Sequence, residues 1–109
     1  MKLLADGRTV GASAPSLAEL RRRRPEILEL MGDYGAGNVR VFGSVARGDE
    51  NADSDLDLLV DFAPGTGLLR WAELIVELER MLGCAVDVAT ESSLRARVRR
   101  RVLAEAISL

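Results

Sequence analysis

Two aspartates one residue apart, Asp55 and Asp57, open an apolar run that continues through Phe62. On a strand, alternate side chains share a face, so the two carboxylates converge, with α-carbons roughly 6.5 Å apart. Leu56, Leu58, Val60 and Phe62 then turn the other way, into a core. Hard carboxylates at this spacing suit Mg²⁺, which takes oxygen ligands and shares its shell with water and substrate phosphates. Taken alone, an Asp-x-Asp also ends solvated loops and caps helices, so the pattern needs a second element.

That element lies just upstream. Val39 to Phe42 reads as a first strand and runs into Gly43-Ser44. A glycine at a strand end lets backbone approach a ligand closely, and a helical turn beginning there offers N–H groups to a phosphate. Val45-Ala46-Arg47 reads as that turn, with Arg47 adding positive charge to the cradle. No Gly-Lys-Ser/Thr follows, which excludes a Walker loop. A plain turn is the alternative reading of Gly-Ser. Asp49, Asn51 and Asp53 imitate the start of an EF-hand, but Ser54 stands where its turn glycine belongs and Val60 where its bidentate glutamate belongs.

Downstream, Cys84 to Ala89 reads as a third strand interrupted by a charge. Asp87 shares a face with Ala85 and Ala89, opposite Cys84, Val86 and Val88. An Asp between valines needs a hydrogen bond, a cation or solvent. If the third strand lies beside the second, Asp87 becomes a third carboxylate for the same ions; a structural Asp at a sheet edge is the alternative.

Helices fill the remainder. Ser16 and Glu19 have capping-box spacing, and the apolar positions from Leu17 to Met31 support helix over about 17–34, divided into two pieces at Pro25. The loop Pro64-Gly65-Thr66-Gly67 precedes an amphipathic helix from Leu68 to about Gly83. Trp71 either packs on its edge or stacks on a nucleobase. Ser92 or Ser93 can cap a last helix with Leu94, Val98, Val102 and Leu103 on one face. The arginines at 21–24 and at 95, 97, 99, 100 and 101 read as solvated faces, with one of the second group free to reach a triphosphate or a partner. Residues 1–15 read as a flexible extension, with a short strand at Thr9-Val10.

The bulk of the chain sets limits. Its 109 residues make one domain, able to bury about two-thirds of its unfolded surface. A formal charge of −2 gives no general pull toward nucleic acid or an anionic membrane, and no apolar run approaches the length of a membrane span or a signal peptide. Cys84 is the single cysteine and reads as a core residue, so no internal disulfide forms and a reducing, cytoplasmic setting is expected. There is no histidine, which excludes a histidine general base and Ser-His-Asp or Cys-His catalysis.

Together, Gly43-Ser44-x-Ala46-Arg47-Gly48, a spacer, and Ser54-Asp55-x-Asp57-Leu58-Leu59-Val60 closely resemble the signature of the minimal nucleotidyltransferases of the DNA polymerase beta superfamily, in particular the MntA-like antitoxin type. The resemblance covers about residues 17–109 and makes 16–109 the nucleotidyltransferase domain. It implies an α/β (α+β) nucleotidyltransferase fold, a small mixed sheet of three or more strands packed against helices. It further implies Asp55, Asp57 and Asp87 as catalytic and metal-holding residues for two Mg²⁺, and Gly43, Ser44, Arg47 and Ser54 as nucleotide-binding. The expected activity is transfer of a nucleoside monophosphate, AMP from ATP, to a hydroxyl of a partner protein, the partner being a HEPN-type toxin. An antitoxin that neutralises its partner by complex formation alone is the alternative, although such an inhibitor would not need three carboxylates and a Gly-Ser cradle. A nucleotide or RNA sensor using the arginine clusters is a third, weaker reading. Homo-oligomerisation is left open.

Overall fold

The computed structural model describes residues 14–109; the strand expected at Thr9-Val10 and most of the expected extension lie outside them. The elements run α1 Leu17–Arg22, α2 Arg24–Asp33, β1 Ala36–Phe42, α3 Gly43–Arg47, β2 Leu56–Phe62, α4 Leu68–Leu82, β3 Val86–Ala89, a 3-10 turn Glu91–Ser93, α5 Ala96–Glu105 and β4 Ile107–Ser108. The strands form one mixed sheet in the order β3-β2-β1-β4, with β2 and β3 parallel and the other pairs antiparallel. The α/β class and the small mixed sheet are as expected from sequence.

Local chemistry explains the helical boundaries. Ser16 and Glu19 form the full capping box at the start of α1. Arg23 separates α1 from α2, and Pro25 falls in the first turn of α2, where a missing N–H costs nothing. Gly35 ends α2 in the left-handed region at φ 76°. The strand begins directly afterwards rather than at Val39, because a register shift between Gly37 and Arg40 absorbs Asn38 at φ 47°. The Asn38 amide donates to Asp61 Oδ2 at 2.9 Å, which holds this bulge.

The start of α5 differs from the sequence reading. Neither Ser92 nor Ser93 caps it: Thr90 caps the 3-10 turn, with Ser93 as the reciprocal partner of that box. Leu94 and Arg95 are extended, and α5 begins at Ala96 without a side-chain cap. A serine two residues into a turn satisfies that turn's own amides first. The short β4, not foreseen as a separate strand, pairs Ile107 and Ser108 with Val41 and Arg40.

Strand alternation divides the sheet into two faces. Val39 and Val41 of β1, Leu56, Leu58 and Val60 of β2, and Val86 and Val88 of β3 pack against Leu20, Ile27, Met31, Leu74 and Leu78 in the main core. Each fully buried leucine there contributes about 1.5–3 kcal/mol. The opposite face carries Leu59 and Ala89, covered by Val102 of α5 with Phe42, Leu94 and Val98 around them. Asp57 and Asp87 occupy this second face by the same alternation. Thus α5 lies over the face that holds the carboxylates.

Candidate active site

Pairing register brings the strand aspartates together. Asp57 sits on the central strand β2, opposite Phe42 of β1 on one side and level with Asp87 of β3 on the other. The third strand therefore lies beside the second, as the third carboxylate required, and the pairing is parallel. Asp55 lies one residue before β2, and its charge and that of Asp87 both act on Asp57. Burial, followed by the Asp87 and Asp55 charges, pushes the Asp57 carboxyl up to about 6 from an ordinary 3.8. Arg47 partly opposes this rise. Among the described residues, no hydrogen bond is donated to the Asp57 carboxylate, and it is left half-buried among like charges.

Gly43 explains how the corner between β1 and α3 reaches this carboxylate. It adopts φ 74°, where L side chains are strained, and a Cβ there would collide with Asp57 Oδ2 and stand 3.2 Å from its Cγ. Only glycine leaves that room. Ser44 follows within α3, and Gly48 closes the turn in the left-handed region. Arg47 reaches out from α3, held by Asp49 at 3.2 Å and Glu105 at 3.3 Å. Phe42, Gly43, Arg47 and Asp57 line a cavity of about 350 Å³ together with Val98, Arg101, Val102 and Glu105 of α5.

Ser54 is placed differently from the other motif residues. Its Oγ accepts the Asn51 N–H at 2.9 Å, and the Asn51 Oδ1 accepts the Asp53 N–H at 2.8 Å. These bonds close the loop that delivers Asp55 to the start of β2, so the Ser54 hydroxyl is engaged within the loop.

Two further carboxylates escaped the sequence reading. Glu79 of α4 is only 4% exposed, and its Oε2 accepts the Val86 N–H at 3.0 Å, anchoring β3 one residue before Asp87. Glu105 accepts the Gly43 N–H at 2.9 Å across 62 residues of sequence. No local signal marks either one, since glutamates on an amphipathic helix ordinarily face water. Of the four arginines in α5, with Arg95 just before it, Arg101 is the one lining the cavity. Trp71 donates its indole N–H to the Val88 carbonyl at 2.9 Å and packs 5.3 Å from the Phe62 ring, so it braces β3 and β2. Cys84 is fully buried, its thiol pushed up to about 11 by burial, then by Glu79 and Asp55.

As the side chains stand, no three acidic, histidine or cysteine groups among the described residues are disposed to hold a metal ion. The donor chemistry nevertheless fits a hard divalent cation. Asp57 and Asp87 share a face, Asp55 adds its field, and their mutual repulsion is what a bound cation relieves.

A family model for the nucleotidyltransferase domain matches residues 21–109. The chain is 42% identical over 79 residues to the protein adenylyltransferase MntA of Thermococcus cleftensis, covering 72% of this chain and 80% of that relative. A solved structure of a candidate minimal nucleotidyltransferase matches with a TM-score of 0.77 at 52% identity, over 87% of this chain and 97% of that one. A toxin–antitoxin crystal structure with AMP-PNP matches with a TM-score of 0.67 at 23% identity, over 77% of this chain and 69% of that one, and shows likeness of fold alone. With its Gly-Ser corner beside paired strand carboxylates, this chain belongs to the nucleotidyltransferase domain family, and within it to the minimal nucleotidyltransferases. No helix among the described residues is long and apolar enough to cross a membrane.

Proposed function

We propose that this protein transfers a nucleoside monophosphate, most simply AMP from ATP, to a hydroxyl of a partner protein, acting as the antitoxin of a HEPN-type toxin in the cytoplasm. The observation that carries the reading is Asp57, raised to about 6 between Asp87 on the next strand and the glycine corner that would cradle phosphate. The relative named a protein adenylyltransferase supports the choice of acceptor class, and the fold shared with a toxin–antitoxin complex supports the choice of partner.

The residues divide the work. Gly43 and Ser44 hold the β- and γ-phosphates at the corner, and Arg47 neutralises their charge. Asp55, Asp57 and Asp87 would hold two Mg²⁺, which when bound neutralise the triphosphate and lower the barrier to in-line displacement. Asp87, on the exposed edge strand, faces the incoming acceptor and takes its hydroxyl proton. The acceptor oxygen then bonds to the α-phosphorus as the bond to the bridging oxygen breaks, and pyrophosphate leaves. No side chain becomes a nucleophile; positioning supplies the rate.

The test is intact mass. The protein is co-purified with its toxin partner and weighed before and after ATP and Mg²⁺, beside the Asp55→Ala/Asp57→Ala double variant. Addition of one or more AMP units to the partner, absent with the variant, is the expected result. A stable complex that gains no mass with any nucleotide would reject transfer and favour neutralisation by binding alone.

A further inference from the structure

Glu105 stands where an anion belongs. It closes α5, and its Oε1 accepts the Gly43 N–H at 2.9 Å while its Oε2 lies 3.3 Å from Arg47 Nη1. These are two of the groups that the proposed nucleotide site offers to phosphate. The Glu105 side chain is only 24% exposed and lines the same cavity as Asp57 and Arg101. A carboxylate that places one oxygen on a main-chain amide and the other by a guanidinium reproduces the contacts of two phosphate oxygens.

We propose that Glu105 is an internal anion seated in the phosphate cradle of the free protein, displaced when a nucleotide's triphosphate enters, and that it thereby sets nucleotide affinity. The inference rests on the nucleotide-binding reading above. A single N–H directed at Glu105 cannot serve a phosphate equally well, and a carboxylate left beside the phosphates would repel them. The nucleotide therefore gains only the difference between its own contacts and those that Glu105 surrenders.

The surroundings allow the exchange without unfolding. Arg47 keeps its Nε bond to Asp49 when Nη1 is released, so the guanidinium stays at the site. The Glu105 backbone is fixed between α5 and β4, which pairs with β1, so release is a side-chain rotation. Arg101, one helical turn before Glu105 on the same cavity wall, offers the displaced carboxylate or the arriving phosphates a cation.

The experiment is ATP titration of the full chain by calorimetry in Mg²⁺, comparing wild type with Glu105→Gln, which keeps an acceptor oxygen but loses the charge. The variant is expected to bind ATP about three- to tenfold more tightly. Glu77→Gln, which removes a distant charge paired with Arg80 at 3.0 Å, is expected to match wild type. Unchanged or weaker binding by Glu105→Gln, or equal tightening by Glu77→Gln, overturns the proposal. Should Glu105→Gln fail to fold, the wild-type protein decides: the Glu105 carboxyl resonance should move to a solvent-exposed value on adding ATP, and a resonance that stays in place overturns the idea. A wild-type chain that binds no ATP removes the nucleotide reading and this one together, whereas normal ATP binding without the Glu105 effect removes this one alone.

Discussion

Asp57 and Glu79 are both acidic groups taken out of water near the third strand, yet their surroundings are opposite. Glu79 is 4% exposed and accepts the Val86 amide at 3.0 Å, so its charge is spent holding β3 in place. The Asp57 carboxylate receives no hydrogen bond from the described residues, sits among Asp55, Asp87 and Glu105, and is raised to about 6. A buried carboxylate with a donor stabilises a fold, while one set among like charges costs stability and awaits a cation. Under the proposed function, the difference separates a structural acid from one kept available for chemistry.

Replacing Asp57 should break the comparison most sharply. Asp57→Asn is expected to lower nucleotidyl transfer by about 100-fold or more, since a charge acting in the transition state is lost, while the ion-free protein becomes more stable. The sign follows from the raised pKa. A carboxyl that binds its proton more tightly when folded stabilises the fold below about 4, and that contribution is lost as pH rises through about 6. The melting temperature of Asp57→Asn minus that of wild type, measured without metal, should therefore widen between pH 4 and pH 7. A difference that stays flat across this range would show that Asp57 is not strained by its neighbours.

Glu79→Ala should do the reverse. It orphans the Val86 amide and leaves a cavity, costing about 2–4 kcal/mol in denaturant unfolding, while activity per folded molecule falls far less than in Asp57→Asn. Equal losses of activity in the two variants would erase the distinction. Gly43→Ala is the smallest perturbation in stability, about 1–2 kcal/mol for a left-handed alanine. Its added methyl points at Asp57 Oδ2, so transfer should fall further than the melting temperature implies.

The legible part of this site was the part written in short range. Asp55 and Asp57 are linked by the two-residue period of a strand, and Gly43 with Ser44 by position at a strand end, so both could be placed without a partner strand. Helix limits at Ser16 and Gly83 were legible for the same reason, because caps and breakers act on neighbouring amides, while the break expected at Pro25 falls at Arg23, two residues earlier. The start of α5 was not: several Ser and Thr residues compete for one set of amides, and Thr90 takes the 3-10 turn. The bond from the Asn51 N–H to the Ser54 hydroxyl, which closes the loop before Asp55, was not legible either.

The sequence by itself determined an α/β chain with a Gly-Ser corner at a strand end and two aspartates at the start of the next strand, because periodicity and turn chemistry act over a few residues. The tertiary structure alone decided that β3 runs parallel beside β2 and sets Asp87 level with Asp57. It also decided that Trp71 braces the strands and that Glu79 anchors the third one. The arrival of Glu105 at the Gly43 amide belongs to the same group. Each of these joins residues on different elements, and only packing of α4 and α5 on opposite faces of the sheet brings them within hydrogen-bonding distance.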